Sequence, residues 1–171
     1  MTKHYLPPLI KITDPDNPPQ GVRFLTRIID SSILPISKRY SSFFQQGEHL
    51  SIVLHSINLS PRQFDAPLAV LPWFVDKLDF FMKPSTQGGL PPNKIATDKE
   101  QVNGEYLILG RCMDAGVPSG EGGYDITNLS RGDYSTAPIE QEVTFSDSYL
   151  FKGGLLDLFK DLAAKYKNGT L

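Results

Sequence analysis

"LSIVLHSINLSPRQFDAPLAVLPWFVDKLDFFMKP", residues 50–84, holds the passage from strand to helix that sets the fold class. Leu50 to Ser60 is rich in β-branched and apolar residues and reads as a strand. A helix-start signal follows. Ser60 can cap, Pro61 suits a first helical position, and Gln63 completes an S-x-x-Q box. These residues predict a short helical turn to about Ala66, ahead of Pro67. From Leu71 onward, apolar residues recur three and four apart: Leu71, Phe74, Val75, Leu78, Phe81 and Met82. That spacing is one face of a helix over about 72–83, with Pro72 in its opening turn and Pro84 as its stop.

Upstream, Leu9 to Thr13 (LIKIT) has the character of a short strand, and the proline-rich 14–21 stretch is a turn or arm. Val22 to Asp30 fits strand or helix by spacing, and its β-branched content favours strand. Downstream, 84–104 is too polar and too punctuated by Gly and Pro for an ordinary connection, so it is a surface excursion. Glu105 to Met113 is a strand, 114–138 a second excursion, and Ile139 to Phe151 another strand. A last helix at about 154–167 carries the stripe Leu155, Phe159, Leu162 and Tyr166. Its acids lie early, its lysines late, and Asn168-Gly169 stops it. The sum is an α+β fold, a mainly antiparallel sheet with two principal helices, in one domain spanning 1–171. No repeat at a fixed period is visible; the letters NLS shared by 58–60 and 128–130 are treated as chance.

The chain has 171 residues and a formal net charge of −2, which argues against a strongly basic nucleic-acid binder. One cysteine, Cys112, excludes an intrachain disulfide framework and a multi-cysteine zinc site. Prolines and charges interrupt the first 21 residues, unlike a signal peptide, and no apolar run is long enough to span a membrane as a helix. Cytoplasmic location is the expectation.

Candidate sites follow from residue type. In "SGEGGYDITNLSRGD", residues 119–133, Glu121 and Asp125 would repel a phosphate, and no helical stripe follows, so a phosphate cradle is rejected for a mobile acidic loop. From Cys112 to Asp147 seven acids face one base, Arg131, a composition that calcium favours but at no EF-hand spacing. A solvated surface, or one meeting a basic partner through Tyr124 and Tyr134, is preferred, and no metal or cofactor is expected. Arg131-Gly132-Asp133 would signal adhesion only outside the cell. On one strand His49 and His55 would stand roughly 20 Å apart, too far to share a metal. Cys112 lacks a histidine or helix start to activate it and reads as a small buried hydrophobe.

Two surfaces remain. Lys38 and Arg39 beside Tyr40, Phe43 and Phe44 offer phosphate neutralisation with stacking platforms, as single-stranded nucleic acid requires. On the helix, Trp73 and Phe80 fall almost opposite the apolar stripe, with Lys77 near them. Either the following excursion covers this second face or it meets another protein or a second copy. The expectation is therefore a non-catalytic protein-binding protein, acting through the Trp73–Phe80 face or the acidic loop. A single-stranded nucleic-acid binder is the alternative. An enzyme using Cys112 or a loop metal comes third.

Overall fold

The computed structural model describes residues 3–171. It is an α+β fold with two antiparallel four-stranded sheets. The first is a meander of β1 (Arg23–Ile29), β2 (Arg39–Gln46), β3 (His49–Ser56) and β4 (Leu59–Pro67), closed by helix α1 (Val70–Met82). The second is β5 (Glu100–Val102), β6 (Glu105–Cys112), β7 (Gly123–Gly132) and β8 (Glu140–Ser146), followed by α2 (Asp147–Phe151) and α3 (Leu155–Lys167). Each half thus runs through a meander into a 13-residue helix. The shared NLS letters fall at the start of β4 and inside β7, so they mark no equivalence.

One core joins both halves. Phe43, Leu50, Ile52 and Phe64 of the first sheet meet Leu107, Ile126 and Phe145 of the second, with α1 and α3 packed together over them. Phe159 of α3 sits at its centre, its ring 4.5 Å from that of Phe74 and 5.5 Å from that of Phe43. A second, smaller cluster (Ile12, Val22, Phe44, Val53) lies on the opposite face of the first sheet, where residues 10–22 cross it.

Several expectations are corrected. Residues 60–66 are not a helical turn but part of β4. Phe64 and Ala66 point into the core while Gln63 and Asp65 point away, the period-two pattern of a strand. Leu68 N–H donates to Glu48, so register directs the backbone groups of 66, 64 and 62 toward β3 and those of 61, 63, 65 and 67 outward. Pro61 and Pro67 occupy outward positions on an edge strand, where a missing N–H costs no ladder bond.

LIKIT pairs with no strand; its backbone is held by glutamine side chains. Residues 37–46 are largely β2 rather than a surface segment. The expected strand 139–151 stops at Ser146, whose side chain caps α2 at Tyr149 N–H. Finally, 123–132 is an interior strand, so the mobile loop expected across 119–133 is largely β7. Gly123 is required there because a Cβ would overlap the Phe145 carbonyl of β8.

Candidate functional site

Where the two sheets converge, polar side chains replace the apolar core. Glu105, Asn128 and Gln141 are buried at one end of the second sheet, and the outward-facing edge of β4 leans on them. Asp65 N–H donates to Gln141 Oε1 (2.6 Å), and Asn128 Nδ2 donates to the Asp65 carbonyl (2.9 Å). The two amides act as a neighbouring strand would, closing the free edge of β4 at this residue.

The Asp65 carboxylate is fully buried and is held by neutral donors. It accepts from Ser51 Oγ and Tyr134 Oη (2.5 Å each), Gln63 Nε2 (2.9 Å) and Gln141 Nε2 (3.2 Å). Burial, with Asp65 beside it, pushes the Tyr134 hydroxyl far above its ordinary pKa, so it remains a donor. Next to this group Glu105 accepts from Arg131 (2.6 and 3.1 Å), Asn128 (3.0 Å) and His49 (2.8 Å). Burial opposes the charged form of Glu105, but bonds from Arg131, Asn128 and His49 outweigh it and hold its pKa below the usual range.

Beyond Asp65 the sheets splay into a cleft of about 480 Å³. Pro61 to Phe64 of β4 form one wall, residues 139–143 the other, and Tyr134 stands at the margin. Lys11 and Arg62 face it, as do Asp133, Glu140 and Glu142. The second wall carries unpaired backbone. Asp147 N–H donates to Gly122, so register turns the backbone groups of 145, 143 and 141 toward β7 and those of Thr144 and Glu142 away. Among the described residues no strand covers that edge of β8. Gln63 presents its backbone groups outward from β4 in the same way. The cleft therefore has sheet edge on both sides, a chemistry suited to an extended polypeptide.

The expected site residues are placed as follows. Trp73 is buried, and its indole N–H donates to Glu100 Oε2 (2.7 Å), so the segment after α1 covers the second helix face. Lys77 pairs with the same carboxylate and lies over the half-buried Phe80 ring, 5.5 Å from its centroid. Tyr124 is buried beneath Arg111, between Phe81 and Phe151, and is no surface contact. Of the five expected contact residues, Tyr134 alone reaches the cleft.

The nucleic-acid platform is dismantled. Phe43 faces the main core and Phe44 the smaller cluster, both fully buried, because successive strand residues point to opposite faces. Arg39 is paired with Asp30, and Tyr40 stacks on His55. Lys38 is exposed.

The acids of 114–147 do not converge. Asp147 pairs with Arg111 (2.5 and 2.7 Å), Glu121 binds Ser148, Asp125 accepts from Thr144, and Glu140 pairs with Lys3. Arg131 is buried on Glu105, so the Arg-Gly-Asp letters present no guanidinium to solvent. Burial, and then Asp125, push the Cys112 thiol up, opposite to what a nucleophile requires.

One pair with catalytic geometry was missed in the sequence. Arg27 Nε donates to Ser42 Oγ (2.6 Å), which directs the hydroxyl proton toward His55 Nε2 (2.7 Å). Burial and Arg27 push the His55 pKa down and favour the neutral ring, whose Nε2 accepts in the tautomer protonated at Nδ1. Yet Ser42 is fully buried, and Arg27 also holds Asp16 and the Pro15 carbonyl over it. A substrate carbonyl has no approach, so the pair is a buried polar link. No protein-family model matches the chain, and no curated protein matches it.

Proposed function

We propose that this protein is a non-catalytic interaction protein that takes up an extended segment of a polypeptide partner along the free edge of β8, within the cleft facing β4. The observation that carries the reading is the outward backbone of Glu142 on the wall of a cleft of about 480 Å³, continued along the same edge by Thr144. An added strand gains main-chain hydrogen bonds there, and the side chains of the cleft supply selectivity. Natural sheets usually blunt such edges. Here β4 is closed by Gln141 and Asn128 at Asp65, whereas the outward backbone of Glu142 and Thr144 on β8 meets no such side chain among the described residues. The mixed walls, Lys11 and Arg62 against Asp133, Glu140 and Glu142, favour a segment carrying both signs of charge. A lone thiol fits action in a reducing compartment such as the cytoplasm.

The test is selection from a displayed random-peptide library on the immobilised protein, with each selected peptide then titrated against wild type and Glu142→Pro. Proline at 142 removes an N–H that faces the cleft and spares the β7 ladder. The reading requires binding that falls at least tenfold in the variant while its unfolding midpoint stays near wild type. Peptides that bind both proteins equally would refute it.

A further inference from the structure

Residues 3–13 are seated on the body as a bound peptide is. Among the described residues no backbone hydrogen bond joins two members of this stretch. Its polar groups are met from the body instead. Leu6 N–H donates to the Ser130 carbonyl (2.9 Å), and Arg131 Nη1 donates to the Pro7 carbonyl (3.0 Å). The Gln46 amide accepts from Ile10 N–H (3.0 Å) and donates to Ile10 O (2.9 Å), the pair of bonds a strand residue would offer. Gln63 accepts from Ile12 N–H (2.7 Å) and donates to Ile10 O (3.1 Å).

Side chains complete the seat. Ile12 is buried with Phe44 and Val53, Lys3 pairs with Glu140, and the Tyr5 ring lies where a Cβ on Gly132 would be. Pro7 and Pro8 bias the stretch toward extended backbone, lowering the entropy lost on docking. The connecting turn is built by its own bonds, Asp14 accepting from Asp16 N–H and Asn17 and Val22 N–H donating to Pro19, and is tied to β1 by Arg27 at Asp16 and Pro15. None of the seat's contacts depends on the covalent link through this turn.

We infer that the outer face of the first sheet, together with Ser130–Gly132 of β7 and Glu140 of β8, is a receptor for the sequence of residues 3–13, and that the occupant it takes in trans is the same stretch of a second copy of this chain. Each copy offers one seat and one arm, so exchange makes a closed, symmetric pair. The resident arm competes at an effective concentration on the order of millimolar, so exchange rises steeply only in concentrated protein. The inference is argued from partners outside β8, namely Gln46, Gln63, Ser130 and Arg131; the arm reaches β8 only through Lys3 at Glu140, a side chain that Glu142→Pro leaves in place.

The experiment places a protease site in the 14–21 turn of the full chain. After cleavage, a fluorescein-labelled peptide of the 3–13 sequence is added and followed by anisotropy; the uncut chain is sedimented across a concentration series. The cut protein stays folded, the peptide exchanges in saturably while a scrambled one does not, and Gln46→Leu or Gln63→Leu weakens it about tenfold. The uncut chain dimerises as concentration approaches millimolar. Unfolding of the cut protein, or failure of the peptide to enter a folded one, overturns the receptor. Peptide entry with an uncut chain that stays monomeric throughout overturns the second copy as occupant.

Discussion

At the scale of single residues, the junction between the sheets depends on polar groups that are satisfied only together. Removing the Asp65 carboxylate leaves the Ser51 and Tyr134 hydroxyls without their acceptor and takes one acceptor from each of the Gln63 and Gln141 amides. Asp65→Ala should therefore destabilise by about 3 kcal/mol, and Tyr134→Phe, which removes one donor, by about 1 kcal/mol, both measured by urea unfolding. Glu105 contributes to the acid limb. Its folded pKa lies below that of the unfolded chain, so its contribution is fully present above about pH 4.3 and is lost as pH falls through the folded value. Glu105→Gln should lower stability at pH 7 and flatten the decline between about pH 5 and 3 in a pH series of urea titrations. Of these groups the sequence singled out only Tyr134, as a surface contact, and Gln63, for a helix cap that does not form. A buried Asn128 or Arg131 has the composition of a surface residue, and its partners come from positions as distant as Asp65 and Glu105.

At the scale of elements, apolar periodicity was enough for both long helices. α1 and α3 lie where the stripes put them, because their apolar faces answer to one core. Phe159, at the meeting of Phe43, Phe74 and Phe145, should cost about 3–5 kcal/mol when replaced by Ala, read from urea unfolding. The strands were less legible. β2 has apolar residues on both sides because each face of its sheet is covered, the second by residues 10–22, so Phe43 and Phe44 looked like a surface pair. β7 was hidden by glycines that serve close strand approach and by polar residues that point inward. The Ser60–Gln63 signal was misleading because Gln63 uses its amide on Ile10 and Ile12, not on a helix end. Covering of Trp73 by Glu100 has a direct optical consequence. Its emission should be shielded from iodide and unchanged on dilution, and Glu100→Ala should increase quenching.

At the scale of the molecule, two meanders share one core and meet through a polar seam, and both surfaces of interest flank that seam. The seat of residues 3–13 and the cleft share Lys11, Ile12 and Gln63, so an arm that leaves its seat also widens the cleft. Neither surface was foreseeable from local sequence, because each depends on which edges the topology leaves open. The central claim is that β8 offers an unpaired edge to an extended partner. Amide hydrogen exchange resolved by residue tests it most directly, on the free protein and on its complex with a peptide selected from the library. The account predicts fast exchange at Glu142 and Thr144 against slow exchange at Val143 and Phe145 in the free protein, with both fast amides protected at least tenfold in the complex. Protection of Glu142 and Thr144 in the free protein, or no change on binding, would contradict it.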